Sequence, residues 1–99
     1  MRSTSAGNGQ PVTIIDNQGT IDLSNLELSN GRYNAIQITS DSSKDGILIS
    51  NSSFDQFAGH GIDLEYCDGS YTLDNITMSN IGGEEVHFNY SPDATVTRH

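Results

Sequence analysis

Gly61-Ile-Asp-Leu-Glu-Tyr66, followed by Leu73-Asp-Asn-Ile-Thr-Met78, is the stretch on which the reading of this chain turns. Both halves recur. Ile36-Gln-Ile-Thr39 and Val86-His-Phe-Asn89 repeat the first, while Leu23-Ser-Asn-Leu-Glu-Leu28 and Ile49-Ser-Asn-Ser-Ser-Phe54 repeat the second. Val12, Ile36, Ile62 and Val86 are spaced by 24, 26 and 24 residues, and Ile14, Ile38, Leu64 and Phe88 keep that spacing two positions later. Further along, Ile21, Ile47 and Tyr71 align, as do Leu23, Ile49 and Leu73, then Leu26, Ser52 and Ile76, then Leu28, Phe54 and Met78. A fixed period of about 25 residues marks a solenoid, whose repeats bury their apolar faces against one another.

Within each repeat the apolar residues alternate at period two, so the elements are strands, and no segment carries an apolar stripe of helical spacing. Three short strand-like groups per repeat are separated by Gly, Asn, Asp or Ser. Coils stacked at a rise of about 4.8 Å pair every strand with its counterparts above and below. The expected fold is all-β, a short right-handed parallel β-helix (solenoid) of about four coils with three short strands per coil. Asn25, Asn51 and Asn75 share one column. They are expected to form an inward ladder whose amides bond along the stack and satisfy turn backbone groups. Residues 1–10 are polar and aperiodic and read as a flexible N-terminal arm or cap; residues 11–99 read as the solenoid domain.

The solenoid register resembles the parallel β-helix repeats of the pectate-lyase-like superfamily, over roughly residues 11–99. The resemblance implies the fold. For activity it implies a choice, since that superfamily hosts lyases, hydrolases, epimerases, phage tailspikes and passive modules. In enzymes of this kind the first sheet often lines the substrate groove.

Four basic residues stand against thirteen acidic ones, a net charge of −9. Direct binding to a nucleic-acid backbone needs clustered Lys and Arg and is not expected, nor is attachment to an anionic membrane. Cys67 is alone and reads as a small buried or turn residue. No apolar run is long enough to span a membrane, and no signal-peptide segment opens the chain. The expected location is cytoplasmic if the chain is complete, and extracellular or on a virion if it belongs to a longer protein.

The register also assigns the outward residues. Thr13, Gln37, Asp63 and His87 form one column on the first strand face, with Ile15, Thr39, Glu65 and Asn89 beside it. Asp63, Glu65 and His87 could in principle move protons or hold Ca²⁺. An outward strand face must be polar in any case. No Arg or Lys lies near them, although uronate lyases and epimerases need positive charge to stabilise an enolate-like intermediate. The acidic pairs of polygalacturonases are missing, and four coils make a groove only about 15 Å long. No catalytic residue, metal set or cofactor is assigned on these grounds. His60 reads as a solvated corner residue in the column of Asn34 and Glu84. Asp41-Ser-Ser-Lys-Asp-Gly46 lacks the ligand spacing of a calcium loop and reads as a turn. The sequons at Asn51, Asn75 and Asn89 read as by-products of the repeat, the first two because ladder positions should face inward.

The leading expectation is a non-enzymatic binding protein whose acidic surface occupies a basic site on a protein or nucleoprotein. In size and charge the chain resembles phage-encoded inhibitors, including anti-CRISPR proteins and other nucleic-acid mimics. Its contacts would be Asp63, Glu65, Glu84, Glu85 and His87, with Asp22 and Asp74 on another face. The alternative is a polysaccharide-binding or polysaccharide-processing piece of a larger protein such as a tailspike, lyase or epimerase. Tyr66 and Tyr90, which share a column, would then form a platform for a neutral glycan. The third reading is a structural or adhesin repeat that self-associates through an uncapped C-terminal coil.

Overall fold

The computed structural model describes residues 2–4, 11–42 and 46–99. Their strands are β1 (Arg2–Thr4), β2 (Val12–Ile15), β3 (Ile21–Ser24), β4 (Glu27–Gly31), β5 (Ile36–Thr39), β6 (Ile47–Phe57), β7 (Ile62–Glu65), β8 (Ser70–Ile81), β9 (Val86–Asn89) and β10 (Thr95–Arg98). All pair in parallel, and there is no helix among the described residues. The molecule is a parallel β-solenoid of about four turns. One sheet runs β2-β5-β7-β9; the other carries β1-β4-β6-β8-β10, with β3 also on β6. Val12, Ile36, Ile62 and Val86 are register partners in turn, as are Ile21, Ile47 and Tyr71, so the spacing in the sequence is the stacking order in space.

Like stacks on like because each inward residue meets its counterpart one rung away. Ile36, Ile38, Ile47, Ile49, Phe54, Phe57, Leu64 and Leu73 are all at most 1% exposed. Each such side chain contributes about 1.5–3 kcal/mol through burial. Phe88 continues the column of Ile38 and Leu64 yet is 47% exposed, since no strand among the described residues pairs with β9 beyond β7. At the other end β1 adds a rung beneath β4, while residues 5–10, part of the expected arm, lie outside the described residues.

The corners are made by left-handed backbone. Asp16, Ser40, Tyr66 and Tyr90 occupy one corner column, Asn25, Asn51 and Asn75 a second, and Asn30, Gln56 and Asn80 a third; all have φ between 50° and 64°. Such a conformation costs most residues roughly 1–2 kcal/mol, and Asn tolerates it best. β6 and β8 therefore run straight through their bends at Asn51 and Asn75. This corrects the expected inward ladder. All three asparagines are exposed, and Asn75 Nδ2 donates to Asn51 Oδ1 at 2.9 Å on the outside of the corner. The inward places on either side of Asn51 belong to Ser50 and Ser52. Ser52 Oγ accepts from the Leu26 N–H at 3.0 Å and donates to the Ser50 carbonyl at 2.8 Å, which satisfies the turn from within. Burial thus gives no ground for setting aside the sequons at Asn51 and Asn75.

One inward column is polar: Asn17, Asp41, Cys67 and Ser91, the places just after the first corner. Asp41 is 1% exposed and accepts from Tyr71 Oη and, at 2.8 Å, from Asn17 Nδ2. Burial first, then the hydrogen bond to Asp41, pushes the Tyr71 phenol far above its ordinary range. Ser91 Oγ accepts from the Cys67 N–H at 2.9 Å and donates to the Leu64 carbonyl at 2.8 Å. Cys67 is buried, as expected, and desolvation raises its thiol pKa, the opposite of what a nucleophile needs. No helix is long and apolar enough to cross a membrane.

Candidate functional site

Two groups of side chains stand out, at opposite ends of the β2-β5-β7-β9 sheet. The first is built on three consecutive coils by a pair of positions three residues apart: Asn34 with Gln37, His60 with Asp63, Glu84 with His87. Asn34 Nδ2 donates to Gln37 Oε1 at 2.8 Å, and His87 Nδ1 lies 2.8 Å from Glu84 Oε1. The His60 and His87 rings stack face to face, with centroids 4.1 Å apart and planes 7° apart. His60 Nδ1 accepts the Glu84 N–H at 2.9 Å, and the His60 N–H donates to Asn34 Oδ1 at 2.7 Å. Gly83 makes room for the ring, since a Cβ there would fall 2.4 Å from His60 Nδ1.

The register sets Asp63 beside His87 and Glu65 beside Asn89, as the sequence predicts. Asn89 Nδ2 donates to Glu65 Oε2 at 3.1 Å. Asp63 departs from the expectation of a solvent-facing contact: it is 8% exposed, and its Oδ1 has no hydrogen-bond partner. Alternation along β7 puts it opposite the inward Ile62 and Leu64, yet it is buried. Glu85 is exposed and paired with Arg98, Nη1 to Oε1 at 2.6 Å. Asp22 and Asp74 are exposed on the second sheet but do not adjoin, since Asp22 faces Leu48 and Asp74 faces Ser50 in the register. Five of the seven expected contacts thus lie on or next to β7 and β9, and Asp22 and Asp74 lie apart on the second sheet. His60, expected to be solvated, is instead half-buried in the stack; its spacing of 27 residues from His87 gave no column to reveal it.

The second group is the first corner. Tyr66 and Tyr90 are 58% and 71% exposed and stack at 5.2 Å with planes 7° apart. Both hold left-handed backbone, where lower coils carry Asp16 and Ser40. Bulky residues rarely take that conformation, and such strain gathers at working surfaces. The pair borders an open groove of about 430 Å³ lined also by Ser40, Asp41, Ser42, Cys67, Asp68, Pro92 and Asp93. No known protein family matches the chain, and no curated protein is significantly similar to it.

Proposed function

We propose that this is a non-enzymatic binding protein that holds a neutral saccharide against the Tyr66–Tyr90 corner. The observation that carries the reading is the exposed stack of two tyrosines beside a groove rimmed by Asp68 and Asp93. The C–H face of a pyranose is apolar and weakly positive, which suits the electron-rich face of a phenol ring. Carboxylates beside it accept hydrogen bonds from sugar hydroxyls. Among the described residues no rung follows Tyr90 in its column, and the ring is 71% exposed. A parallel solenoid is also consistent with membership of the pectate-lyase-like superfamily, several of whose branches handle polysaccharides.

A glycan array followed by calorimetry tests this. Tyr90→Ala should weaken a hit by about 1.5 kcal/mol, close to tenfold, with the fold intact. Silence across neutral saccharides, or a hit indifferent to Tyr66→Ala and Tyr90→Ala, would sink the proposal.

The net charge favours a second reading, occupation of a basic site on a macromolecular partner. It ranks lower because Asp63 is buried, Glu84 is tied to His87 and Glu85 to Arg98. Affinity falling steeply with salt would favour it. The third reading, a self-associating repeat, draws on exposed Phe88 at the uncovered β9 edge; sedimentation showing end-to-end oligomers would favour that one.

A further inference from the structure

We propose that His60, Asp63, Glu84 and His87 form a binding site for a borderline divalent transition-metal ion, with Zn²⁺ the best fit. One ligand atom from each of His60, Glu84 and His87 lies within 4.8 Å of the other two. A cluster of that kind is common on acidic surfaces, and what sets this one apart is Asp63. Its side chain is more than nine-tenths buried, and Oδ1 has no protein partner. A buried carboxylate oxygen left unpaired is costly, and a cation supplies the missing partner.

The repeat shows which residues lie around Asp63. In the coil below, Asn34 and Gln37 touch; in the coil above, Glu84 and His87 touch. His60 and Asp63 occupy the same two positions between them, which sets Asp63 beside the His60 corner. Asp63 is also the register partner of His87. Three ligand side chains on two adjacent coils thus converge, two imidazoles and the Glu84 carboxylate, and the orphaned Asp63 carboxylate borders them as the register neighbour of His87. Imidazole selects zinc and its neighbours over Ca²⁺ and Mg²⁺, which prefer all-oxygen sets. Two carboxylates neutralise a dication without a further counter-charge.

Loading has a built-in reporter. His60 Nδ1 now accepts the Glu84 N–H. If the metal takes Nδ1, that bond is lost. If it takes Nε2, the neutral ring carries its proton on Nδ1, which can no longer accept. Either route releases the Glu84 amide.

The test is calorimetry with ZnCl₂ on the purified full chain, together with ¹⁵N–¹H correlation spectra and imidazole ¹⁵N shifts. Saturable binding of one ion per chain is expected, with large shifts at the His60 and His87 ring nitrogens and at the Glu84 amide. His60→Ala, His87→Ala and Asp63→Asn should each weaken binding at least about tenfold, whereas Glu65→Gln and His99→Ala should not. Absence of saturable binding overturns the proposal, as does binding that His99→Ala removes or that Asp63→Asn leaves unchanged. Where an alanine variant fails to fold, by circular dichroism, the wild-type ring-nitrogen and Glu84 amide shifts decide.

Discussion

Asp63→Asn should make the metal-free protein more stable, the reverse of what most substitutions at a site 8% exposed do. Asp63 lies two residues from Glu65 along one strand, about 7 Å, with their side chains on the same side. Two carboxylates at that separation repel by about 1–2 kcal/mol for an effective dielectric between 20 and 40. The buried, unpartnered Oδ1 adds a desolvation penalty of about 1–3 kcal/mol. Asparagine has nearly the same shape and removes both terms, but its amide brings N–H donors that need partners, which takes back about 1–2 kcal/mol. The net expectation is a gain of about 1–2 kcal/mol. For a domain of this size each kcal/mol moves Tm by about 4–8 °C. Urea denaturation in EDTA measures the gain. Zn²⁺ at about a hundred times the wild-type Kd should close most of that gap, because it stabilises the wild type by about 2.7 kcal/mol and a variant of tenfold weaker affinity by only about 1.4 kcal/mol. If Asp63→Asn lowers stability in EDTA by 1 kcal/mol or more, the carboxylate has a partner within the chain, and the argument for an orphaned ligand fails.

Two further substitutions probe the frame. Asn51→Ala, at φ 50°, should cost about 1–2 kcal/mol in urea denaturation, while Asn51→Gly should cost markedly less; equal losses would mean that the bond to Asn75, not the backbone, sets the corner. Tyr71→Phe strips the buried Asp41 of its phenolic donor and should destabilise by about 1–3 kcal/mol. In the wild type, the Tyr71 phenol should stay protonated in an ultraviolet titration for as long as the fold persists. The Tyr71 pKa is raised on folding, so its contribution to stability is complete below pH 10 and falls as the pH rises past that value. Tyr71 titrating near pH 10 in the native protein would refute the burial argument.

The stacking order was legible because a solenoid turns sequence spacing into spatial adjacency. Ile36, Ile62 and Val86 needed only their 26- and 24-residue separations to be placed. The facing of Asn25, Asn51 and Asn75 was not legible. Period-two alternation assumes extended backbone, and one left-handed residue between Ser50 and Ser52 turns both serines inward and the asparagine out. Alternation read Asp63 as outward and exposed, and its burial was not legible because exposure depends on more than the column a residue belongs to. His60 and His87 meet across two columns and two coils at once, a relation that no single repeat spacing encodes. Tyr66 and Tyr90 were found because they share one column.

The polar column has a consequence for how the coils find their places during folding. The apolar columns are nearly interchangeable from rung to rung, so a coil misplaced by one whole repeat would still bury isoleucine on isoleucine. Asn17, Asp41, Cys67 and Ser91 are four different chemistries stacked in one order. Shifting them by one rung takes Asp41 away from Tyr71 and Asn17 and leaves a buried carboxylate without its donors, at about 1–3 kcal/mol or more. That buried acid works as an index mark, telling otherwise alike turns which one they are.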